Sequence, residues 1–530
     1  MHDATLGGLL RAQARARPDA IYVSDGERRL SFAATDAAVD RLVAGLARLG
    51  LKKGDHVALW TANSLEWVLM FLACARLGAP VIPVNTRYKA DEVAYILRQS
   101  DSRLLEMTEE RWGIDYYGML REIAPELAEQ GAGPLALAGF PELRHVAVTG
   151  AARLPGTLCL ADIDGEPDPA AGQDVTRDDV LIICYTSGTT GKPKGVMHNH
   201  RVIAQSTRVG EALRVDATDR VLGHMPFYHV AGLFMALIPC LALGAELVIM
   251  HEWNTRRAID LMAERKVTVF GGIPTHYFDI VNVLDGDTAK LAALKSAWIG
   301  GASVGIEAFR RFEAALPGTR ILSTYGMTEN TISTTFNRWD DPAEKISRNM
   351  APQLGDGRMR IVDPKTLEDV APGANGEIWC AGDTVMLGYY KNEAATREVL
   401  TQDGWLRTGD IGNLDAEGFL SLTGRLKEMF KTGGSNAYPA EIEACLMAYP
   451  GVGSAVVVGV PDERLGEVGY AFVEAAAPLD AEDLKRFCRT RIADFKVPRY
   501  FEFMAELPRT STGKLARADL AARARQAVAD

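Results

Sequence analysis

The feature that most constrains the fold is an uninterrupted apolar run followed at once by a flexible, cationic segment. Residues Val180–Cys184 are all apolar, as expected for a strand buried on both faces of a sheet. Residues Tyr185–Val196 then combine serine and threonine hydroxyls with three glycines and two lysines. Glycines allow sharp turns in which successive N–H groups converge on one spot and bind anions. The segment predicts a polyphosphate site at the end of a buried strand.

This segment is not a Walker A loop. That motif places a glycine, four residues and then Gly-Lys followed by serine or threonine. Here Gly191-Lys192 is preceded by Thr186 at the first glycine position and followed by Pro193 at the hydroxyl position. The alternative interpretation is a plain glycine-rich surface turn, and the two lysines behind a buried strand favour the phosphate site.

Composition limits the class of protein. A chain of 530 residues is too long for one core, so two or more domains are expected. A net charge of −11 argues against nucleic acid or an anionic membrane as the main partner. The seven cysteines form no C-x-x-C pair, which indicates buried thiols in a reducing, cytoplasmic compartment.

No integral membrane segment is expected. The first residues lead into no apolar signal-peptide core. The most apolar helix candidate, Ser64–Gly78, is too short and too charged to span a bilayer. Asn63 and Glu66 are spaced as a capping box at its start.

Strand-length apolar runs alternate with amphipathic stretches, which predicts α/β layers with parallel pairing. In such sheets, ligands bind beyond the carboxyl ends of the strands, where the motifs of this chain lie.

A boundary near Gly424–Lys427 divides an N-terminal domain at 1–425 from a C-terminal domain at 426–530. The predicted C-terminal elements are helices at Pro439–Ala448 and Ala481–Ala493 and strands at Ser454–Gly459 and Gly469–Glu474.

Five further motifs follow the glycine-rich segment in order. They are Met225–Gly232; Thr324–Glu329; Gly376–Trp379 with Gly388–Tyr390; Trp405–Asp410 with Gly424–Lys427; and Leu507–Lys514. Together the motifs resemble those of the adenylate-forming enzymes, which include acyl-CoA synthetases, luciferases and the adenylation domains of peptide synthetases. The resemblance covers essentially the whole chain. It implies an acyl-CoA synthetase-like α/β fold, with a large N-terminal domain of layered α/β subdomains and a small, mobile C-terminal α+β domain.

The resemblance also implies a two-step reaction with ATP, Mg²⁺ and coenzyme A. A small-molecule carboxylic acid attacks the α-phosphate of ATP, and CoA then takes the acyl group from the acyl-adenylate. Three alternatives stay open: loading of a carrier protein, luciferase-like oxidation of the adenylate, and a catalytically silent nucleotide-binding protein. The intact Lys514, Glu329 and Asp410 argue against the last. The oligomeric state is left open, a homodimer included.

By resemblance, the nucleotide contacts come from several segments. Thr190 and Glu329 hold Mg²⁺, Tyr325 stacks on adenine, Thr328 contacts the α-phosphate, and Asp410 binds the ribose. The remaining nucleotide contacts are the phosphate residues Thr186, Ser187, Gly188, Thr189, Gly191 and Lys192, together with Gly301, Ala302, Thr324, Gly326, Met327 and Arg425. The alternative, non-functional interpretations are that Tyr325 is an ordinary core tyrosine and that Glu329 is an exposed acid in a loop.

The C-terminal residues follow the same resemblance. Lys514 bridges the carboxylate and the α-phosphate during adenylation; its alternative is an ordinary solvated lysine. Lys427 lies at the hinge about which the domain rotates after the first step. The rotation brings Lys431 and the adjoining Gly433 and Gly434 to the site, beside the pantetheine tunnel.

The acyl pocket is predicted to draw on His229, Val230, Gly272, Trp298 and Thr324. These residues offer no buried charge, which favours a hydrophobic monocarboxylic acid over an amino acid. Thr324 stands where many relatives carry a smaller glycine, so it narrows the pocket floor and favours short- or medium-chain, branched or ring acids. Trp298 faces either the pocket or the opposite side of its strand, and His229 is either a pocket residue or a packed core histidine.

Overall fold

The computed structural model describes most of the chain. The described residues are 4–150, 153–168, 172–186, 192–284, 286–301, 304, 306–331, 333–348, 350–432, 435–475, 477–509 and 515–529. No helix in these ranges is long and apolar enough to cross a membrane.

The α-helices of the described ranges are as follows. They are α1 (Leu6–Ala16), α2 (Phe32–Arg48), α3 (Leu65–Leu77), α4 (Ala90–Gln99), α5 (Tyr116–Ile123), α6 (Val202–Ala212), α7 (Val230–Gly232), α8 (Ile238–Leu243), α9 (Thr255–Arg265), α10 (Pro274–Leu284), α11 (Ile306–Ala315), α12 (Ala343–Ser347), α13 (Glu393–Val399), α14 (Pro439–Met447), α15 (Ala481–Arg489) and α16 (Arg517–Ala529). A π-helical turn at Leu233–Leu237 joins α7 to α8.

The strands are given in chain order. They are β1 (Ile21–Asp25), β2 (Arg28–Ser31), β3 (His56–Trp60), β4 (Val81–Pro83), β5 (Ser102–Met107), β6 (Glu110–Arg111), β7 (Ile114–Asp115), β8 (His145–Val148), β9 (Leu158–Cys159), β10 (Val180–Thr186), β11 (Lys194–Asn199), β12 (Arg220–Gly223), β13 (Glu246–Ile249), β14 (Val269–Gly272), β15 (Ser296–Gly300), β16 (Arg320–Tyr325), β17 (Thr335–Phe336), β18 (Ala351–Pro352), β19 (Arg358–Val362), β20 (Gly376–Ala381), β21 (Gly388–Tyr389), β22 (Trp405–Leu414), β23 (Phe419–Arg425), β24 (Phe430–Thr432), β25 (Ser435–Ala437), β26 (Val452–Asp462), β27 (Gly466–Ala475) and β28 (Tyr500–Met504).

Two large sheets carry most of the predicted motifs. One has the order β17-β16-β15-β14-β12-β13-β1-β2, and its inner strands run parallel. The other has the order β21-β11-β10-β4-β3-β5-β8-β9, with β10 parallel to β4. The predicted α/β class is confirmed, but parallel pairing is incomplete. β11 runs antiparallel to β10 because the glycine-rich segment returns the chain directly beside the strand that precedes it.

Two smaller sheets follow along the chain. Strands β18 to β20 and β22 to β23 form an antiparallel sheet that carries Asp410 and Arg425. Strands β24 to β28 form a second sheet, covered by α14, α15 and α16. The last sheet together with its helices has the small α+β form expected of the chain end.

The start of α3 differs from the sequence prediction. Ser64, not Asn63, caps this helix, and its Oγ accepts a hydrogen bond from Trp67 N at 3.2 Å. The Asn63 amide instead donates to Met225 O at 3.0 Å and accepts from Phe227 N at 2.7 Å. Asn63 therefore anchors the turn that begins the Met225–Gly232 motif, a role that sequence spacing alone does not reveal.

Glu106 on β5 is fully buried, and within the described ranges neither carboxylate oxygen has a hydrogen-bond partner. Burial, with a smaller contribution from Glu66, raises the pKa of Glu106 from 4.5 to about 8. The folded state therefore favours the protonated acid. The stability gained from this proton is complete below pH 4.5 and is lost as the pH rises towards about 8.

We expect Glu106→Gln to flatten the pH dependence of unfolding between pH 5 and 8. The wild-type loss is about 1.4 kcal/mol per pH unit in this window, so the variant gains relative stability as the pH rises. Denaturant titrations at several pH values measure the effect. The exposed Glu110→Gln serves as the control, and parallel pH profiles for wild type and Glu106→Gln would contradict the buried-acid interpretation.

Candidate active site

Several predicted site residues fall outside the described ranges. They are Ser187, Gly188, Thr189, Thr190, Gly191, Ala302, Gly433, Gly434 and Lys514. The segments that flank them are described and fix where each loop starts and ends.

The ends of the glycine-rich segment lie side by side. Thr186, the last residue of β10, pairs with Lys194, the first residue of β11. The Lys194 ammonium lies 4.8 Å from the centre of the Tyr389 ring, and the Lys192 ammonium lies 5.2 Å from that of Tyr95. The two ammonium groups thus lie over aromatic rings at the ends of the segment. An anion site requires positive charge of this kind.

The Asp410 carboxylate contacts two other predicted nucleotide residues, Tyr325 and Arg425. Tyr325, at the end of β16, donates its hydroxyl to Asp410 Oδ2 at 2.7 Å. Arg425 pairs with Asp410 across β22 and β23, with Nε 3.0 Å from Oδ1. Residues from two consecutive strands and from the distant β16 therefore meet at the Asp410 carboxylate, and Asp410 is only 5 % exposed.

The electrostatics of this cluster follow from its burial. Burial raises the pKa of Asp410, whereas Arg425 and the Tyr325 hydroxyl act to lower it. Burial, followed by the charge of Asp410, also raises the pKa of Tyr325 well above its usual value. Tyr325 consequently keeps its proton and remains a hydrogen-bond donor, with its ring held in place by the carboxylate.

Thr328 and Glu329 form a short helical turn after β16. His198 Nε2 lies 2.6 Å from Thr328 O, and Met327 N donates to Asn330 Oδ1 at 2.7 Å. His198 thus supports this turn from β11.

Tyr389 holds Glu329 in place. Tyr389 belongs to one of the sequence motifs, but the sequence assigned it no role. The Tyr389 hydroxyl donates to Glu329 Oε1 at 2.9 Å, and Met386 N donates to Glu329 O at 2.8 Å. Tyr389 also pairs with Val196 across β21 and β11. Because the same ring lies under Lys194, Tyr389 connects the glycine-rich segment to the buried carboxylate of Glu329.

The donor set suits Mg²⁺. Glu329 Oε2 makes no hydrogen bond to any described residue, so this oxygen is available to a cation. No group of three or more acidic, histidine or cysteine side chains that could form a metal cage occurs among the described residues. Mg²⁺ prefers one or two carboxylates combined with phosphate oxygens and water, so a single buried carboxylate beside a phosphate segment fits this ion.

Strand register decides which way Trp298 faces. Trp298 pairs with Gly271, and Gly300 pairs with Thr324, so Trp298 and Thr324 lie on one face of the sheet. A Cβ atom at Gly271 would lie 1.9 Å from Trp298 Nε1, so the indole covers the space a side chain would need. On the same face, Thr324 Oγ1 lies 3.1 Å from Ser333 Oγ.

The other predicted pocket residues lie at different places. Ser333 Oγ contacts Met235 Sδ at 3.1 Å, which brings the π-helical turn against the Thr324 face. His229 caps the helix just before this turn, since its Nδ1 accepts from Ala231 N at 3.2 Å, and Val230 is buried there. Gly272 faces the opposite side of β14, where a Cβ would lie 2.4 Å from His276 Nδ1.

The ends of the Lys514 segment are also defined. Arg509 and Leu515 form an antiparallel bridge that closes the loop containing Lys514. Burial raises the pKa of Asp279 on α10, and Arg509 acts to lower it, so the two charges lie near each other. Lys427 and Lys431, in contrast to the buried carboxylate of Asp410, are exposed.

Comparisons with known proteins identify the family. The AMP-binding enzyme family matches residues 10–390, and the AMP-binding enzyme C-terminal domain matches residues 441–514. A 3-[(3aS,4S,7aS)-7a-methyl-1,5-dioxo-octahydro-1H-inden-4-yl]propanoyl:CoA ligase of Rhodococcus jostii (strain RHA1) is 35 % identical, over 96 % of this chain and 97 % of its own. The mitochondrial medium-chain acyl-CoA ligase ACSF2 of Mus musculus is 32 % identical, over 97 % of this chain and 86 % of its own.

Among solved structures, the anthranilate CoA ligase AuaEII in complex with anthranoyl-AMP superposes with a TM-score of 0.88 at 26 % identity, covering 100 % of this chain and 99 % of that one. The fold and site thus define an adenylate-forming enzyme. The chain belongs to the AMP-binding enzyme family and is an acid–thiol ligase of the acyl-CoA synthetase type. Acyl-CoA ligases of this family use ATP and CoA and join an acid to CoA through an adenylate.

Proposed function

We propose that this enzyme activates a compact hydrophobic monocarboxylic acid, of short or medium chain, branched or ringed, and transfers it to coenzyme A. The position of Trp298 carries the proposal. Its indole fills the space over Gly271 on the face that also holds Thr324, which leaves an apolar and shortened floor. The names of the Rhodococcus ligase and of the AuaEII complex show that relatives act on ring acids.

The chemistry requires charge neutralisation more than covalent catalysis, because a carboxylate is a weak nucleophile and the phosphates are anionic. Lys192, Lys194 and the intervening glycine-rich segment bind the β- and γ-phosphates. Asp410 accepts hydrogen bonds from the ribose, and the Tyr325 ring supports adenine. Glu329 and Thr190 would hold Mg²⁺, and the ion would supply positive charge to offset that of the phosphates. Lys514 aligns the substrate carboxylate with the α-phosphate.

The second step uses the C-terminal domain at 426–530. Rotation near Lys427 withdraws Lys514 and presents Lys431 with Gly433 and Gly434 to the pantetheine thiol. The seven free cysteines are consistent with the cytoplasmic location that completes this proposal.

A panel of carboxylic acids, scored by AMP release with CoA present, tests the proposed function. We expect ring, branched and medium-chain acids to be used and long linear acids and amino acids to be poor. Carboxylate-dependent exchange of pyrophosphate into ATP without CoA would show adenylation by itself. Exchange without thioester formation from free CoA would instead favour a carrier protein as acceptor, and light emission or oxygen uptake would favour a luciferase-like oxidation.

Trp298→Ala should extend the range of acids. Removal of the indole opens space beside Gly271, so longer acids should gain in kcat/KM by on the order of 10-fold per accommodated methylene. The cavity should lower the free energy of unfolding by about 3–5 kcal/mol. Trp339→Ala is the control. The native Trp339 indole is half-buried and stacks on Arg214. An unchanged chain-length profile would exclude Trp298 from the pocket floor.

Tyr389→Phe should weaken the binding of Mg²⁺ with ATP by roughly 10-fold or more, because the hydroxyl no longer holds the Glu329 carboxylate. The ring beneath Lys194 is retained, so binding of ATP without metal should change little. Equilibrium binding of ATP across a Mg²⁺ titration separates the two effects. Tyr390→Phe is a matched control, since its hydroxyl bonds Asp101 at 2.8 Å instead. Equal Mg²⁺ dependence in both variants would contradict the role of Tyr389.

A further inference from the structure

Two cysteines of the last domain lie in direct contact. Cys445 on α14 and Cys488 on α15 have their Sγ atoms 3.8 Å apart. The other five cysteines make no sulfur–sulfur contact in the described part of the chain. Cys445 is 8 % exposed and Cys488 is fully buried, so Cys445 is the less buried of the two residues.

A guanidinium group acts on both sulfurs of the pair. The charge of Arg491 acts to lower the pKa of Cys445 and of Cys488 alike, and so favours a thiolate at this contact. The Arg491 guanidinium is held 3.6 Å above the Phe487 ring, next to Cys488 on α15. A thiol reacts more readily where it is more accessible, and Cys445 is the less buried of the pair.

From this arrangement we propose that Cys445 and Cys488 are a reversible oxidation site that a small hydroperoxide converts into an intramolecular disulfide. Cys445 reacts first and Cys488 resolves the intermediate. A small oxidant is required because the contact between the two sulfurs is buried. The proposal is independent of the acyl substrate and of the proposed roles of Lys514 and Glu329.

The chemistry balances in two steps. The Cys445 thiolate attacks one oxygen of hydrogen peroxide; an S–O bond forms, the O–O bond breaks, and hydroxide takes the thiol proton to give water. The Cys488 sulfur then attacks the Cys445 sulfur; the S–S bond forms, the S–O bond breaks, and the departing hydroxide takes the Cys488 proton to give a second water. The two sulfurs lose two electrons in total, and a dithiol reductant returns them.

The movement required is small. A disulfide has its sulfurs about 2.05 Å apart, so the pair must close by roughly 1.8 Å, which side-chain rotation and a slight shift of the helix ends can supply. Both cysteines lie near the C-terminal ends of their helices, where the helical turn yields most easily.

The disulfide would fasten α14 to α15. Ala437 ends the hairpin that carries Lys431 and packs in the same apolar cluster as both cysteines, and α14 begins two residues later. Oxidation would therefore restrain the base of the hairpin proposed to serve thioester formation. Cross-linking should also stabilise the domain by limiting its unfolded state.

The test treats the full-length enzyme with hydrogen peroxide, alkylates the remaining thiols and maps peptides by mass spectrometry. We expect a peptide pair linked through Cys445 and Cys488, two fewer alkylated cysteines, a higher Tm and full reversal by dithiothreitol. Hydrogen exchange should slow across residues 430–447. The control variant Cys159→Ser alters a similarly buried cysteine, 6 % exposed, and should leave the cross-link intact.

The variants Cys445→Ser and Cys488→Ser should each abolish the cross-link, and Cys488→Ser should accumulate the sulfenic acid at Cys445. If either serine variant fails to fold, the wild-type peptide map still decides the matter. Recovery of both thiols as alkylated peptides, or oxidation of Cys445 to the sulfinic acid without a linked peptide, would overturn the proposal.

Discussion

Replacing Lys514 with alanine is expected to reduce adenylation by roughly 10²–10³-fold, the effect of losing one preorganised charge at a reacting centre. Formation of the thioester from supplied acyl-adenylate should survive much better, because the proposed domain rotation withdraws this lysine after the first step. The bridge between Arg509 and Leu515 holds the loop, so the substitution removes a charge and leaves the loop ends in place. Pyrophosphate exchange measures the first step, and CoA-dependent release of AMP from the adenylate measures the second.

The control for Lys514 is Lys485→Ala. Lys485 lies in the same domain and pairs with Glu482 on the surface of α15, so its replacement removes an equal charge far from the nucleotide. It should leave both half-reactions unchanged. If Lys514→Ala slowed adenylation and thioester formation equally, the proposal that Lys514 serves adenylation alone would be contradicted.

Asp410→Asn is expected to weaken the binding of ATP and AMP by about 10- to 100-fold, the range for a lost hydrogen bond to a charged group. The amide can still accept a hydrogen bond from Tyr325, but it no longer pairs electrostatically with Arg425. The fold should tolerate the change, because burial already disfavours the ionised carboxylate and raises the pKa of Asp410. Isothermal calorimetry with AMP, combined with thermal unfolding, separates binding from stability.

The matched control is Asp415→Asn, on the turn between the same two strands. Asp415 accepts hydrogen bonds from Glu417 N and Phe419 N, each at 2.9 Å, and has no contact with Tyr325. Its replacement should leave nucleotide affinity unchanged. If Asp410→Asn bound AMP as tightly as Asp415→Asn, the ribose role of Asp410 would be ruled out.

Much of the site could be predicted because its chemistry is local in sequence. A glycine-rich cationic segment after a buried strand indicates an anion site without knowledge of the rest of the fold. The order of the motifs indicated the family. The roles of Asn63 and Tyr389 were missed, because a side chain that reaches another segment leaves no periodic signal in its own neighbourhood. The Asn63 amide could serve equally well as a helix cap, and only its contacts with Met225 and Phe227 show otherwise.

The sequence by itself determined the class of fold and the family, and it predicts a phosphate segment, since each depends on residue types within short stretches. The tertiary structure decided which residues meet. Asp410 and Arg425 meet across paired strands of one sheet, and Tyr325 joins them only because a second sheet packs against it. Strand register turned Trp298 towards Thr324, because side chains alternate along a strand and a shift by one residue reverses the face. Such choices depend on packing between distant segments, which no local pattern encodes.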